Sequence, residues 1–272
     1  LKRTLASVGE QVHMKAAVKL AADAAFRDAE SGLALRAGTL LPATLSRPNS
    51  AILTIPADAS RLDQIRAVGC HLLFQYGYAG MTMRQIAAQL HIKAASLYYH
   101  FPSKQDILFD LMRKTASDLL EGLRGIISKG AVSGQSAPSA FTQFEEAVRW
   151  HVLFHTQKRE EAFISHSELR SLDPENLRAI LKLREEYDRL FDSILREAHH
   201  EQETTHESVG APGGEAHHEG ALRLPPSGVL RNAILTMCTA TAGWFSPEGR
   251  LSAAEVADHL WSFIAAAVLL KP

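Results

Sequence analysis

Cysteine is almost missing from this chain: 272 residues hold two, Cys70 and Cys238. They lie far apart and form no C-x-x-C pair, so neither a disulfide framework nor a zinc ribbon is encoded, and a reducing, cytoplasmic setting is expected. Long apolar runs are missing too. The longest, such as Phe263 to Leu270, fall far short of the roughly 20 residues that a membrane helix needs. No basic-then-apolar leader pattern opens the chain, so the expectation is no membrane span and no export. Charge of one sign is absent as well, since the formal net charge is −1, which excludes a uniformly basic nucleic-acid binder. Nor is there a G-x-S-x-G, an H-E-x-x-H or a glycine-rich phosphate loop. Cys238 falls in an apolar helical run, where packing accounts for it better than nucleophilic attack. The sequence thus reads as no enzyme, with no cofactor and no catalytic or metal residues.

No segment of useful length alternates polar and apolar residues as a strand would. What is present is helical spacing. It recurs through Leu62, Ile65, Val68, Leu72 and Tyr76, then Ile107, Leu111, Leu119, Leu123 and Ile126. It returns at Leu177, Ile180, Leu181, Tyr187, Phe191 and Ile194, and at Val256, Leu260, Phe263, Ile264 and Val268. Helix starts are marked by Ser60 with Asp63, Thr82 with Gln85, Ser103 with Asp106 and Ser252 with Glu255, each a capping hydroxyl three residues before a side chain able to reach back. Asp173-Pro174 marks another. The fold class is all-α, with about nine helices expected from these signals. Residues 1–58, ending in Pro42, Pro48 and Pro56, read as a mobile extension and linker. Residues 199–227, rich in Glu, His, Gly and Pro, read as a flexible insertion between two helices.

Between Ser60 and His100 three helices can be placed. The first, Arg61 to Gln75, stops at the glycine-bearing turn Tyr76-Gly77-Tyr78-Ala79-Gly80; the second is Met83 to Leu90; the third is Lys93 to Tyr99. Two short helices joined by a tight turn at His91-Ile92 form a helix-turn-helix whose second member can enter a major groove. Lys93, Ala94, Ala95 and Ser96 stand at its N-terminal end, where small side chains allow the backbone close to base edges and Ala methyls can meet thymine methyls. Tyr98, Tyr99, His100 and Lys104 offer hydroxyls, a ring nitrogen and a cation to phosphates, while Thr82 and Arg84 can hold the facing strand. Singly, Tyr98, Tyr99 and His100 also fit packing or plain surface roles. Charge supports the cluster: residues 59–114 carry seven Lys/Arg against three Asp, a net +4 inside a chain of −1. A basic module on an acidic body is the pattern of a chain that meets phosphates with one part only.

The run Thr82-Met83-Arg84-Gln85-Ile86-Ala87, followed by Ala95-Ser96-Leu97-Tyr98-Tyr99-His100-Phe101-Pro102-Ser103-Lys104, resembles the DNA-binding signature of the tetracycline-repressor (TetR) family. The resemblance implies an N-terminal three-helix reader at 59–104, a larger helical domain at 105–272 that binds a small-molecule effector and dimerises, and repression relieved by ligand. Two departures are visible: His91 stands where the family usually has Gly, in a turn that favours a left-handed backbone, and Lys93 stands where Ser often caps the helix. A shifted operator preference is the expected consequence.

In the second half, Trp150 to His155 and Arg159 to Arg170 concentrate aromatics, histidines and arginines on two consecutive helices. That mixture suits a pocket with apolar walls and a few polar fixtures such as Trp150 and His166, and equally a helical core with polar members at its rim. With Tyr187–Phe191 and Trp244–Ser252, this part is similar to the TetR subgroup that controls fatty-acid, steroid or aromatic-acid catabolism and responds to acyl-CoA thioesters. On that resemblance Phe154, Phe163, Tyr187 and Trp244 would line an acyl tunnel, and Arg149, Arg159 or Arg170 would meet the phosphates. A plain salt bridge is the other reading of Arg170. The last two helices, Val229–Gly243 and Ser252–Leu270, are apolar on more than one side. A homodimer reading a palindromic operator follows. A metal-responsive regulator is the rival, because His199, His200, His206, His217 and His218 cluster in the insertion.

Overall fold

A computed structural model describes residues 53, 55–56, 58–132, 138–207 and 227–269. Among them there are α-helices and no strands. The order is α1 (Arg61–Gly80), α2 (Met83–Gln89), α3 (Ala94–His100), α4 (Lys104–Val132), α5 (Ala140–Gln157), α6 (Arg159–Ser167), a 3-10 turn (Leu169–Ser171), α7 (Pro174–Glu207), α8 (Ser227–Thr239), the single turn α9 (Thr241–Trp244) and α10 (Ala253–Leu269).

The start signals all operate. Ser60 Oγ accepts from the Asp63 amide at 3.2 Å, Ser103 Oγ from Asp106 at 3.2 Å and Ser252 Oγ from Glu255 at 3.2 Å. At α2 the box is reciprocal: the Gln85 amide donates to Thr82 Oγ1 at 3.3 Å and the Thr82 amide to Gln85 Oε1 at 2.7 Å. Each bond satisfies an amide that a helix start leaves without a partner. Pro174 opens α7, where its missing N–H costs nothing.

Two cores result. In the first, α1, α2 and α3 close over Ile65, Leu72, Ile86, Leu97 and Phe101, and the start of α4 adds Ile107 and Leu108. Ile164 of α6 and Ile180 of α7 belong to the same cluster, so the three-helix unit is seated on the larger body rather than tethered to it. In the second, α5 lies against α4, α7 and α10, and Phe144, Val148, Phe191, Trp261 and Ile264 interlock. Gly122 on α4 lets Trp150 come close: an added Cβ would fall 2.1 Å from its ring, and Trp150 Nε1 donates to the Leu119 carbonyl at 3.0 Å.

Three boundaries differ from the sequence reading. α1 runs on to Gly80 past a break at Gly77, whose φ of 68° is the left-handed conformation that glycine permits. The stretch read as an insertion from 199 begins later, because α7 carries His199 and His200 and extends to Glu207. The helix read as Val229–Gly243 is interrupted at Ala240, where Thr241 Oγ1 turns back to the Cys238 carbonyl at 2.7 Å. Leu53 and Ile55, in the expected linker, pack on the first core. Pro56 and Asp58 are also described, Pro56 O accepting from the Ala59 amide at 3.1 Å, while residues 1–52, 54 and 57 of the expected extension, with His217 and His218, lie outside the described residues.

Candidate nucleic-acid interface and regulatory core

The helix-turn-helix is built as its sequence dictates. Ile86 and Ala87 of α2 and Leu97 of α3 are buried and hold the pair together. Between them the chain turns at His91, which adopts φ 53°. A left-handed non-glycine residue carries strain of about 1–3 kcal/mol. The neighbouring bonds Ile92 N to Ala87 O at 3.0 Å and His91 N to Ala88 O at 3.1 Å enforce it. Lys93 is the N-cap of α3 and makes no capping bond with its side chain; the Ser96 amide turns back to the Lys93 carbonyl at 2.9 Å.

Around Leu97, α3 leaves its other side chains outside. Lys93, Ala95, Ser96, Tyr98, Tyr99 and His100 are exposed and Ala94 is half-buried. Tyr99 is 87% exposed, which no packing role would allow, and its ring meets His100 edge-on with centroids 5.4 Å apart. Thr82, Arg84, Tyr98 and Lys104 line one shallow recess beside this row. Lys104 alone among the ten candidate contacts turns inward: its Nζ donates to the Tyr78 carbonyl at 2.9 Å and lies 4.3 Å above the Tyr78 ring. It holds the start of α4 against the end of α1.

The nine residues read as a ligand pocket do not converge as a set. Trp150 and Phe154 pack at 5.5 Å, and Tyr187 is buried one layer away. Phe163 instead joins the first core, edge-on to Phe74. Arg170 is exposed on the 3-10 turn, and Trp244 is 57% exposed because the break at Ala240 ends α9 at the surface. Arg149 is paired with Glu145 at 2.8 Å and with Asp258 of α10. Arg159 Nε donates to the Ala242 carbonyl at 3.3 Å, fixing α6 to α9.

Two residues outside that set organise the interior. His151 on α5 bonds through Nδ1 to Tyr187 Oη at 2.8 Å and through Nε2 to Thr239 Oγ1 at 2.8 Å, joining α5, α7 and α8. His155, one turn on, stacks on it at 4.2 Å, donates from Nδ1 to the His151 carbonyl at 2.8 Å and lies 6.5 Å from His166. Burial holds all three imidazoles neutral: His151 and His166 fall well below the usual histidine range and His155 falls to about 4. The signal was in the sequence, since positions 144, 148, 151 and 155 fall on one helical stripe with Phe144 and Val148.

A short exposed helix held over a three-helix core, seated on a larger helical body, defines a helix-turn-helix DNA-binding protein. Residues 65–111 match the model of bacterial regulatory proteins of the tetR family, and residues 137–211 and 214–268 match the tetracyclin repressor-like C-terminal domain. The chain belongs to the TetR family of transcriptional regulators. It is 29% identical over 98 residues to the HTH-type transcriptional repressor KstR2 of Rhodococcus jostii RHA1, a match covering 34% of this chain. The chain thus spans about half (48%) of the length of that curated relative. The structure of the ketosteroid transcriptional regulator KstR2 of Mycobacterium tuberculosis superposes with a TM-score of 0.63 at 16% identity, over 80% of this chain and 98% of that one. AibR, crystallised with isovaleryl coenzyme A and operator DNA, superposes with a TM-score of 0.57 at 20% identity, over 75% and 97%. At these identities the structural likeness is one of fold.

Proposed function

We propose that this regulator binds a palindromic operator as a homodimer and is a repressor of a catabolic operon for fatty acids, steroids or aromatic acids, released by an acyl-CoA-type effector. The observation that carries the DNA-binding part is the exposed row Lys93, Ala95, Ser96, Tyr98, Tyr99 and His100, whose only inward anchor is Leu97. The small residues lead into the groove; Thr82, Arg84, Tyr99 and His100 grip phosphates on either side. On this reading residues 59–104 are the reader and 105–272 the effector and dimer domain.

Support for the dimer comes from α8 and α10, which bury Ile234, Cys238, Val256 and Ile264 inward and leave Val229 and Phe263 outward. Two such faces make a four-helix interface. The effector class rests on fold likeness to KstR2 and to AibR, the latter seen with an acyl-CoA, and on the aromatic pair Trp150 and Phe154 with the buried Tyr187. The test selects bound DNA from a random pool and then challenges the complex with a series of CoA thioesters. A palindromic consensus and release at micromolar thioester are the results expected. No enriched sequence would remove the operator reading, and indifference to every thioester would remove the effector class.

A further inference from the structure

Arg184 on α7 points at α6, where its Nη2 donates to the main-chain carbonyl of Ser165. That is its one hydrogen bond, and among the described residues no carboxylate lies within ion-pair distance of it. Asp188, a turn further along α7, attracts it only from a distance, and burial depresses the guanidinium below its ordinary value. A guanidinium carries five N–H donors in a planar fork, and four are left over here. Beside it Ser165 Oγ is buried with no partner. His166 is next in the chain after Ser165, and the Arg184 charge, within electrostatic reach, helps to keep both His166 and His155 neutral. His155 Nδ1 is already committed to the His151 carbonyl. The cluster has one positive charge, a spare fork, a spare hydroxyl and the His166 ring, and it lacks an anion. Of these groups only Ser165 Oγ is fully buried without a partner, and such a group costs stability until an acceptor or donor reaches it; the spare Arg184 donors reach solvent.

We infer that Arg184, Ser165 and His166 form a receptor, between α6 and α7, for one carboxylate of an organic acid. A carboxylate matches the single charge and takes the planar fork through two oxygens, leaving Ser165 and His166 to bond the remaining lone pairs. Ser165, His166 and Arg184 each keep part of their surface accessible, so the cluster reaches solvent. The inference rests on reading residues 105–272 as an effector domain and narrows the effector to an acid with a free carboxylate, either unesterified or at the far end of an acyl-CoA.

The full chain is titrated calorimetrically with acetate, hexanoate, benzoate, glutarate and glutaryl-CoA, with butyryl-CoA and inorganic phosphate as partners lacking a carboxylate. Histidine ring resonances are followed in parallel. At least one carboxylate should bind saturably and shift the His166 signal. Arg184→Met should weaken it tenfold or more, Arg184→Lys less, and Ser165→Ala several-fold. Glutarate against glutaryl-CoA distinguishes free acid from thioester. Indifference to the whole panel overturns the inference, as does equal affinity in Arg184→Met with helix content preserved, or tighter binding of phosphate than of any carboxylate. If Arg184→Met does not fold, Ser165→Ala, which removes one hydroxyl, decides by the same criterion. Carboxylate binding that leaves operator affinity untouched supports the site and overturns its role as the effector site. Absence of operator binding by the unliganded chain bears on the proposed function alone.

Discussion

Phe163 of α6 stands edge-on against Phe74 of α1, ring centres 5.3 Å apart and planes 77° to one another. One ring belongs to the reader and the other to the helix that also carries Ser165 and His166, so this contact joins the DNA-binding unit to the interior of the regulatory body. His71 and Glu160 approach to 3.8 Å in the same joint. Edge-to-face aromatic pairs contribute about 0.5–1.5 kcal/mol beyond burial. A double-mutant cycle on Phe74→Leu and Phe163→Leu, read by urea unfolding, should return a coupling in that range. Strict additivity would mean that the rings merely coexist.

On the reader, Tyr99→Ala should weaken operator binding by roughly 1 kcal/mol or more, the worth of a hydrogen bond to a charged group, with helix content unchanged. Lys93→Ala should lower the slope of log affinity against log salt by about 1. Lys104→Ala should behave differently. Its ammonium is engaged with Tyr78, so its loss should reduce stability by about 1–2 kcal/mol, seen as an earlier thermal transition of the DNA-free chain. Lost affinity with unchanged stability would reassign Lys104 to the phosphates.

His91 offers a gain. It is exposed and left-handed, so His91→Gly removes strain without removing packing. The net effect is a stabilisation of about 0.5–1 kcal/mol, once the larger freedom of glycine in the unfolded chain is subtracted. His91→Val should destabilise by more than that. Denaturant midpoints at constant slope would measure both, and a loss in His91→Gly would show that the turn needs the imidazole.

The buried imidazoles set a pH dependence. His155 titrates at about 4 in the folded chain, and His151 and His166 lie well below the usual value, in each case first because burial disfavours the charged ring. The unfolded chain takes up these protons near pH 6.5, so it binds more protons than the folded one between there and the folded values. Stability is therefore complete above pH 6.5 and declines as pH falls towards about 4, by up to about 1.4 kcal/mol per pH unit for each ring. Thermal midpoints from pH 7.5 to 5 should show this slope, and His155→Gln should reduce it. A flat profile in the native chain would mean that these rings are not buried neutral.

The reader was almost wholly legible because its determinants are local. Capping hydroxyls at Ser60, Thr82 and Ser103, the buried pattern around Ile86 and Leu97, and the strained His91 each act within a few residues. The regulatory body was legible only as helices. Arg149, Arg159 and Arg170 look alike in sequence, yet one is ion-paired, one holds a backbone carbonyl and one is exposed. Arg184, in a run of other charges, is the one turned inward towards Ser165.

The chain by itself determined the all-helical class, the helix starts and the exposed face of α3, since periodicity and capping are properties of neighbouring residues. Tertiary structure decided which polar groups meet: His151 with Tyr187 and Thr239, His155 with His166, Arg184 with Ser165. Such partners come from different helices, and their meeting depends on how those helices pack, which no local spacing encodes.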